Sequence, residues 1–113
     1  MTATDWKKRL REEGVLEIEG FRIELTLDNT FMDLDYILRI IVYDERSGRW
    51  HVLRNPISRG KTLEENWDNA VGLLERIAAG RELPMLGDEE VSERLAHALL
   101  GLSRIPNDPG RGR

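Results

Sequence analysis

Five cations and one tryptophan are the residues of this chain best suited to binding chemistry. Residues 46–61 hold five Lys or Arg and no acid, whereas residues 15–45 hold eight acids against two arginines. Guanidinium groups beside an exposed ring can bind carboxylates on a protein, or phosphates and bases on a nucleic acid. The candidate partner-binding residues are therefore Arg46, Arg49, Trp50, Arg54, Arg59 and Lys61. In the simpler alternative, the acidic and basic segments neutralise each other through cross-strand pairs.

A second candidate is an acidic turn that could ligate a metal ion. Asp28, Asp33 and Asp35 lie close together in the sequence, and Mg²⁺ and Ca²⁺ prefer carboxylate oxygens as ligands. Their spacing matches no EF-hand loop, which needs a glycine at its sixth position and a glutamate at its twelfth. Because solvated strand edges and turns account for these acids adequately, no metal ligand is assigned.

The sequence of residues 59–62, RGKT, resembles the end of a phosphate-binding P-loop. A P-loop also needs a glycine five residues before its second glycine, and Asn55 occupies that position here. The pattern therefore favours either a simple helix cap or a helix N-terminus that binds a phosphate or carboxylate of a partner.

No catalytic constellation is visible in the sequence. His51 and His97 have no partner that the sequence reveals, and the serines lack the context of a nucleophile elbow. The chain has no cysteine, which excludes disulfides, thiolate zinc sites and cysteine nucleophiles. We therefore assign no catalytic residue and no cofactor, and an enzyme is less favoured than a binding protein.

The fold that must position these residues is organised around a helix at residues 62–80. Thr62 and Glu65 predict a capping box, in which the hydroxyl accepts from the Glu65 N–H and the carboxylate from the Thr62 N–H. Gly80 and Pro84 end the helix. An apolar stripe at helical spacing predicts one buried face, made of Leu63, Trp67, Ala70, Val71, Leu74, Ile77 and Ala78.

Two stretches before this helix have the pattern of β-structure. Residues 15–28 alternate between apolar and polar, which predicts a half-buried antiparallel ribbon. It is either one strand with a bulge near Glu19-Gly20 or two strands with a tight turn there. Residues 36–43 are apolar on both sides, which is typical of a strand covered on both faces. The first helix or a second subunit would cover the other face.

A hairpin turn leads from this strand into another, and the turn length sets the register. A two-residue turn would place Val42 opposite Leu53, and a three-residue loop would place it opposite Val52. Because a slip of one residue exchanges the faces of Trp50 and His51, their exposure stays open.

Two further helices complete the predicted fold. Residues 4–13 form a short helix with Thr4 as its N-cap and Gly14 after its end. Asp88 caps a last helix with an apolar stripe of Val91, Leu95, Ala98, Leu99 and Leu102. The predicted fold class is α+β, an antiparallel sheet of three to four strands with a short N-terminal helix and two amphipathic C-terminal helices packed on one face.

At 113 residues with a net charge of −4, the chain can bury about 65% of its unfolded surface in one domain. We place that domain at residues 1–105, followed by a flexible tail at 106–113. The longest apolar runs are far short of the ~18 residues that span a bilayer, and the N-terminus lacks the apolar region of a secretory signal. These features predict a cysteine-free cytoplasmic protein with no membrane partner.

One stretch resembles a known family. The sequence of residues 60–65, GKTLEE, followed by Asn69 and Ala70, is similar to the segment that joins sheet to helix in HicB-like antitoxins. The resemblance covers about residues 60–70 and implies a small α/β domain that binds an RNA-cleaving toxin, together with a DNA-binding segment. The chain departs from the family pattern at Asn66, where an alanine is usual, and in its last helix, where a strand is expected.

These patterns predict a small non-catalytic interaction factor of inhibitor, immunity, antitoxin or adaptor type, which binds another protein through the basic hairpin edge. The alternative is a nucleic-acid-binding module that uses the same hairpin. A second alternative is a metal-dependent enzyme that uses the acidic turn. The face of residues 36–43 also offers a surface for a homodimer.

Overall fold

The computed structural model describes residues 3–28 and 37–104. In chain order, the elements are the helix α1 (Ala3–Glu13), the strands β1 (Val15–Ile18), β2 (Phe21–Asp28), β3 (Ile37–Asp44) and β4 (Arg49–Val52), and the helices α2 (Leu63–Ala78) and α3 (Glu89–Arg104). This arrangement confirms the predicted α+β fold. The tail predicted at residues 106–113 lies outside the described residues.

The four strands form one antiparallel sheet in the order β1-β2-β3-β4. Ile18 lies opposite Phe21, so Glu19 and Gly20 form a two-residue turn between two separate strands. Gly20 has a φ of +80°, the left-handed conformation that tight hairpin turns require. Alternate side chains of β2 are buried beneath the helices, namely Phe21, Ile23 and Leu25. We call this side of the sheet the helix face and the opposite side the outer face.

The β3–β4 hairpin has a register that neither predicted turn would give. Val42 lies opposite His51, so the predictions that placed it opposite Leu53 or Val52 are wrong. Because successive side chains point to opposite faces of a strand, His51 lies on the helix face with Val42, and Trp50 lies on the outer face.

The register differs because the loop has four residues, 45–48, rather than two or three. Gly48 donates its N–H to the Asp44 carbonyl oxygen at 2.8 Å and has a φ of +71°. The Arg46 N–H donates to the Asp44 carboxylate at 3.1 Å. The loop therefore begins with an Asx-turn, in which the Asp44 carboxylate accepts from the backbone two residues on.

Helix α2 begins and ends at the predicted signals. The Thr62 hydroxyl accepts from the Glu65 N–H at 3.1 Å. The Glu65 carboxylate accepts from the Lys61 N–H at 3.0 Å, one residue earlier than the predicted capping box. After the helix, the Gly80 N–H donates to the Ile77 carbonyl oxygen at 3.0 Å, with a φ of +76° at Gly80. These bonds satisfy backbone groups that a helix leaves unpaired at its ends.

The buried face of α2 is wider than the predicted stripe. Leu73 and Asn66 are buried although neither was predicted to be. Leu63 is exposed, which is contrary to the prediction, and Trp67 is only partly buried against the core. The reason is that α2 contacts α1, α3 and β3, and a helix with neighbours on several sides buries a broader arc than one stripe.

Helix α1 lies on the same side of the sheet as α2 and α3. Its Trp6 and Leu10 are buried in the common core, and Lys7 forms an ion pair with Glu75 of α2 at 2.5 Å. The helix begins at Ala3, so the predicted N-cap, Thr4, lies inside it. Because the buried residues of α1 belong to the core on the helix face, the prediction that the first helix covers the outer face is wrong.

Helix α3 begins as predicted, because the Asp88 carboxylate accepts from the Val91 N–H at 3.1 Å. All five residues of its predicted stripe are buried or packed against the core, namely Val91, Leu95, Ala98, Leu99 and Leu102. Over the described residues, none of the three helices has the length and hydropathy needed to cross a bilayer.

Candidate interaction surface

Four apolar side chains form a patch on the outer face of β3 and β4, made of Ile41, Tyr43, Trp50 and Val52. We call these four residues the outer patch. Trp50 is 50% exposed and Val52 is 42% exposed. The buried side chains of all three helices share one core with the helix face, so within residues 3–28 and 37–104 no helix covers the outer patch. Exposed apolar patches of this kind mark interaction surfaces.

The two aromatic rings of the outer patch pack against each other. Tyr43 and Trp50 are direct cross-strand partners, with ring centroids 5.1 Å apart and planes inclined by 54°. A cross-strand aromatic pair is stabilising and restricts both rings. The indole is therefore presented to solvent in a defined orientation, which reduces the entropy lost when it binds.

The outer patch lies beside an open edge of the sheet. Strand β4 pairs with β3 and with no other strand in the part of the chain that the structure describes. The Leu53 N–H donates to the Ile40 carbonyl oxygen at 2.9 Å. Because backbone groups alternate in direction along an antiparallel strand, those of Trp50 and Val52 point away from β3. A strand of a partner can therefore add to this edge at Trp50 and Val52, whereas the Arg54 N–H, further along the same edge, donates to the Met85 carbonyl oxygen at 2.8 Å.

Two of the predicted binding residues, Arg46 and Arg49, lie at the loop end of the hairpin, and both are exposed. Because side chains alternate along β4, Arg49 starts from the helix face, opposite to its neighbour Trp50. No described residue forms an ion pair with either side chain. On the acidic strands, Arg22 pairs instead with Glu24 at 2.7 Å. The two hairpin arginines are thus available to acids outside the chain.

A buried ion pair holds the hairpin from the helix face. The fully buried Asp44 carboxylate accepts two hydrogen bonds from the Arg94 guanidinium, at 3.1 and 2.8 Å. Arg94 also lies over the Phe21 ring, 5.5 Å from its centroid. These hydrogen bonds from Arg94 are the main reason that the pKa of Asp44 lies well below its usual value, against the opposing effect of burial. The pair fixes the point at which the loop begins.

The other predicted binding residues lie elsewhere. The Arg54 guanidinium lies against Gly87, in the linker between α2 and α3. It is 3.5 Å from the point that a Cβ would occupy if this glycine had a side chain. Arg59 and Lys61 precede α2. The Trp67 ring of α2 lies beside Gly14, which comes just before β1. This start of β1 is at the end of the sheet remote from the β3–β4 loop. The six predicted residues therefore do not form one surface.

The N-terminus of α2 is occupied by side chains of the protein itself. The Gly60 N–H donates to Asn66 Oδ1 at 2.6 Å, and the Lys61 N–H donates to the Glu65 carboxylate at 3.0 Å. A phosphate bound here would have to displace that carboxylate. The structure therefore favours the helix cap over the anion-binding site.

No group of three or more His, Asp or Glu side chains that could hold a metal ion occurs among the described residues. Most of the acidic turn, including Asp33 and Asp35, lies outside them, so the metal-dependent alternative stays a prediction. His97 is exposed on α3. His51 is partly buried, and its Nε2 has no hydrogen-bond partner within the described part of the chain.

No family model, no curated protein and no solved structure matches the chain. The resemblance of residues 60–70 to HicB-like antitoxins therefore stays a prediction.

Proposed function

We propose that the protein is a small non-catalytic interaction factor that binds another protein through the outer patch and through Arg46 and Arg49 at the adjoining loop end of the hairpin. The observation that carries this proposal is the side chain of Trp50, half exposed on an uncovered sheet face and packed on Tyr43. Trp, Tyr and Arg are the residues that most often dominate the binding energy of protein interfaces.

The partner that fits this surface has an apolar pocket with an acidic border. The Trp50 indole would enter the pocket, and Arg46 and Arg49 would pair with the carboxylates around it. Inhibitor, immunity, antitoxin and adaptor proteins act in this way, because they mask or bridge a partner without chemistry of their own. A chain without cysteine is compatible with a reducing cytoplasm, where we place this interaction.

Site-specific photocrosslinking in the native host tests the proposal. A photoreactive phenylalanine analogue replaces Glu45, an exposed loop residue that leaves the Trp50 indole in place, and in a matched protein it replaces the exposed Arg81. We expect one discrete protein adduct from the first position and none from the second. Reversing the hairpin charges with Arg46→Glu and Arg49→Glu should abolish the adduct.

The matched control for charge is Lys8→Glu with Arg81→Glu, which changes the net charge equally at exposed positions away from the hairpin. This variant should keep the adduct. Equal labelling from both crosslinker positions, or an adduct that survives the hairpin reversal, would contradict the proposal. An adduct with a second copy of the chain would identify the surface as a homodimer interface.

A nucleic-acid-binding module ranks second, because the outer patch supplies two neighbouring rings, Tyr43 and Trp50, on which bases can stack. Glu17 and Glu24 lie on the same face of the sheet and oppose phosphate binding. Binding of random single-stranded oligonucleotides that weakens steeply with added salt would support this function. No binding at low salt would exclude it.

A further inference from the structure

A groove runs between α3 and the linker that joins α2 to α3. Its volume is about 600 Å³, and its apolar lining includes Leu83, Met85, Ala96 and Leu100. Leu83 is 76% exposed and Met85 is 53% exposed. The groove shares no residue with the outer patch, so a partner could bind in it independently of the outer patch.

The linker wall of the groove is held in place by hydrogen bonds. Buried Asn55 donates from Nδ2 to the Leu83 carbonyl oxygen at 2.8 Å, and its Oδ1 accepts the Met85 N–H at 2.7 Å. Pro84 and Leu86, which alternate with the two exposed side chains, are buried. The backbone therefore holds the Leu83 and Met85 side chains toward solvent. Their apolar surface is unfavourably exposed to water, and a bound partner would cover it.

The opposite wall of the groove is a ridge on α3. It consists of exposed residues at four-residue intervals, namely Glu89, Glu93 and His97, and this spacing aligns them along the helix. No Lys or Arg of the described chain lines the groove, although the Arg54 guanidinium borders it beside Gly87. The groove is thus apolar along one side and acidic along the other.

We propose that this groove binds an amphipathic helix of a partner protein, with apolar side chains that enter the groove and Lys or Arg that meet Glu89 and Glu93. The ridge from Glu89 to His97 is about 12 Å long at the rise of an α-helix. This length suits about two turns of a docked helix, with anchors at positions i, i+3 or i+4, and i+7. Apolar contact supplies affinity, and the carboxylates select cationic helices and set their orientation.

Two synthetic amphipathic peptides of about 18 residues test this proposal. Both carry Leu at the anchor spacing, and their remaining positions are Lys in one peptide and Glu in the other. Each is titrated into the isotope-labelled full-length protein and followed by its amide NMR spectrum. The Lys peptide should shift the amides of Met85, Glu93 and His97, and it should bind at least about tenfold more tightly than the Glu peptide.

Charge reversal on the ridge should reverse this preference. The test variant is Glu89→Lys with Glu93→Lys. Its matched control is Glu64→Lys with Glu12→Lys, which places the same charges at exposed positions in the first turn of α2 and in α1. The control should keep the preference for the Lys peptide. Met85→Ser should weaken the binding of the Lys peptide about tenfold, because it removes an apolar contact.

Equal affinity for the two peptides, or amide shifts confined to the outer patch, would overturn the proposal. Groove amides that shift on dilution without any peptide would also overturn it, because the occupant would then be a second copy of the chain. Met85 is exposed, so Met85→Ser remains a valid test if the double charge reversal fails to fold.

Discussion

The carboxylate of Asp44 links the core to the binding hairpin. It is buried at the end of β3, where it accepts from Arg94 of α3 and from the Arg46 N–H of the loop. Because the loop starts at Asp44, the positions of Arg46 and Trp50 depend on a side chain that reaches the hairpin from another element. A buried charge is tolerated only when it is paired in this way.

Asp44→Asn should lower the free energy of unfolding by about 2 kcal/mol at neutral pH, because an amide cannot replace a carboxylate that accepts charged hydrogen bonds. Chemical denaturation of the two proteins measures the difference. The matched control is Glu45→Gln, the same change at the exposed neighbouring residue, which should have no measurable effect. Equal stabilities for Asp44→Asn and the wild type would show that the ion pair contributes nothing.

The contribution of Asp44 to stability should also depend on pH. Since its pKa is lowered in the folded protein, the unfolded chain takes up a proton there more readily than the folded one. The contribution is complete above the unfolded pKa of about 4 and is lost as the pH falls below that value. The difference in stability between the wild type and Asp44→Asn should therefore narrow between about pH 5 and pH 2, as denaturation at several pH values would show.

Side chains such as Asp44 mark the limit of prediction for single residues. The capping residues Thr62 and Asp88 were recognised because their partners lie within three residues in the sequence. Asp44 and Asn55 were not recognised, since their partners lie 50 and about 30 residues away. A polar residue that is buried by a distant partner has no local pattern, so these structural roles become visible only in the fold.

The linker between α2 and α3 is ordered by Asn55 rather than by a secondary-structure element. Its side chain bonds to the Leu83 carbonyl oxygen, the Met85 N–H and the Glu82 carboxylate. The Glu82 carboxylate also accepts from Arg76, and the hydrogen bonds from Asn55 and then Arg76 lower the pKa of Glu82. One side chain therefore joins the segment that follows β4 to the linker between the two C-terminal helices.

Asn55→Ala should lower the free energy of unfolding by about 2 kcal/mol, because the Met85 N–H loses its acceptor and the Leu83 carbonyl its donor. The same variant should weaken binding of the Lys peptide to the groove, since the linker wall would no longer be fixed. Asn69→Ala is the matched control, as Asn69 makes one surface bond, to the Ser58 carbonyl oxygen. A similar loss for both variants would show that Asn55 has no special role in the linker.

The helices were easier to predict than the pairing of the strands. Capping residues and apolar stripes are local signals, and they located α2 and α3 closely. The β3–β4 register depends on the loop length, which a sequence containing Ser47-Gly48 leaves undecided between several hairpin types. One extra loop residue exchanges the two faces of β4. Unless the loop length is known, the sequence therefore cannot show whether Trp50 or His51 is the exposed residue.

The sheet carries all its described helices on one side, and this asymmetry produces the binding surface. The strand at residues 36–43 showed in advance that an apolar outer face exists, but its sequence could not show which element covers it. Packing places α1 with α2 and α3 because Trp6 and Leu10 join their core. The outer patch is thus a consequence of how three helices share one face, and it contributes residues, Ile41, Tyr43 and Val52, that charge patterns did not identify.

Two identical substitutions on opposite faces of the hairpin separate stability from binding. Val42 is fully buried on the helix face and Val52 is 42% exposed on the outer face. Val42→Ala should lower the free energy of unfolding by about 2 kcal/mol, because two methyl groups and their packing are lost. It should leave the photoadduct formed from position 45 intact at temperatures where the variant is folded. Val52→Ala should change the free energy of unfolding by less than about 0.5 kcal/mol and should reduce the yield of the adduct.

Denaturation curves and crosslinking yields measured on the same samples provide the comparison. If Val52→Ala lowers the stability but leaves the adduct unchanged, the outer patch stabilises the fold rather than binding a partner.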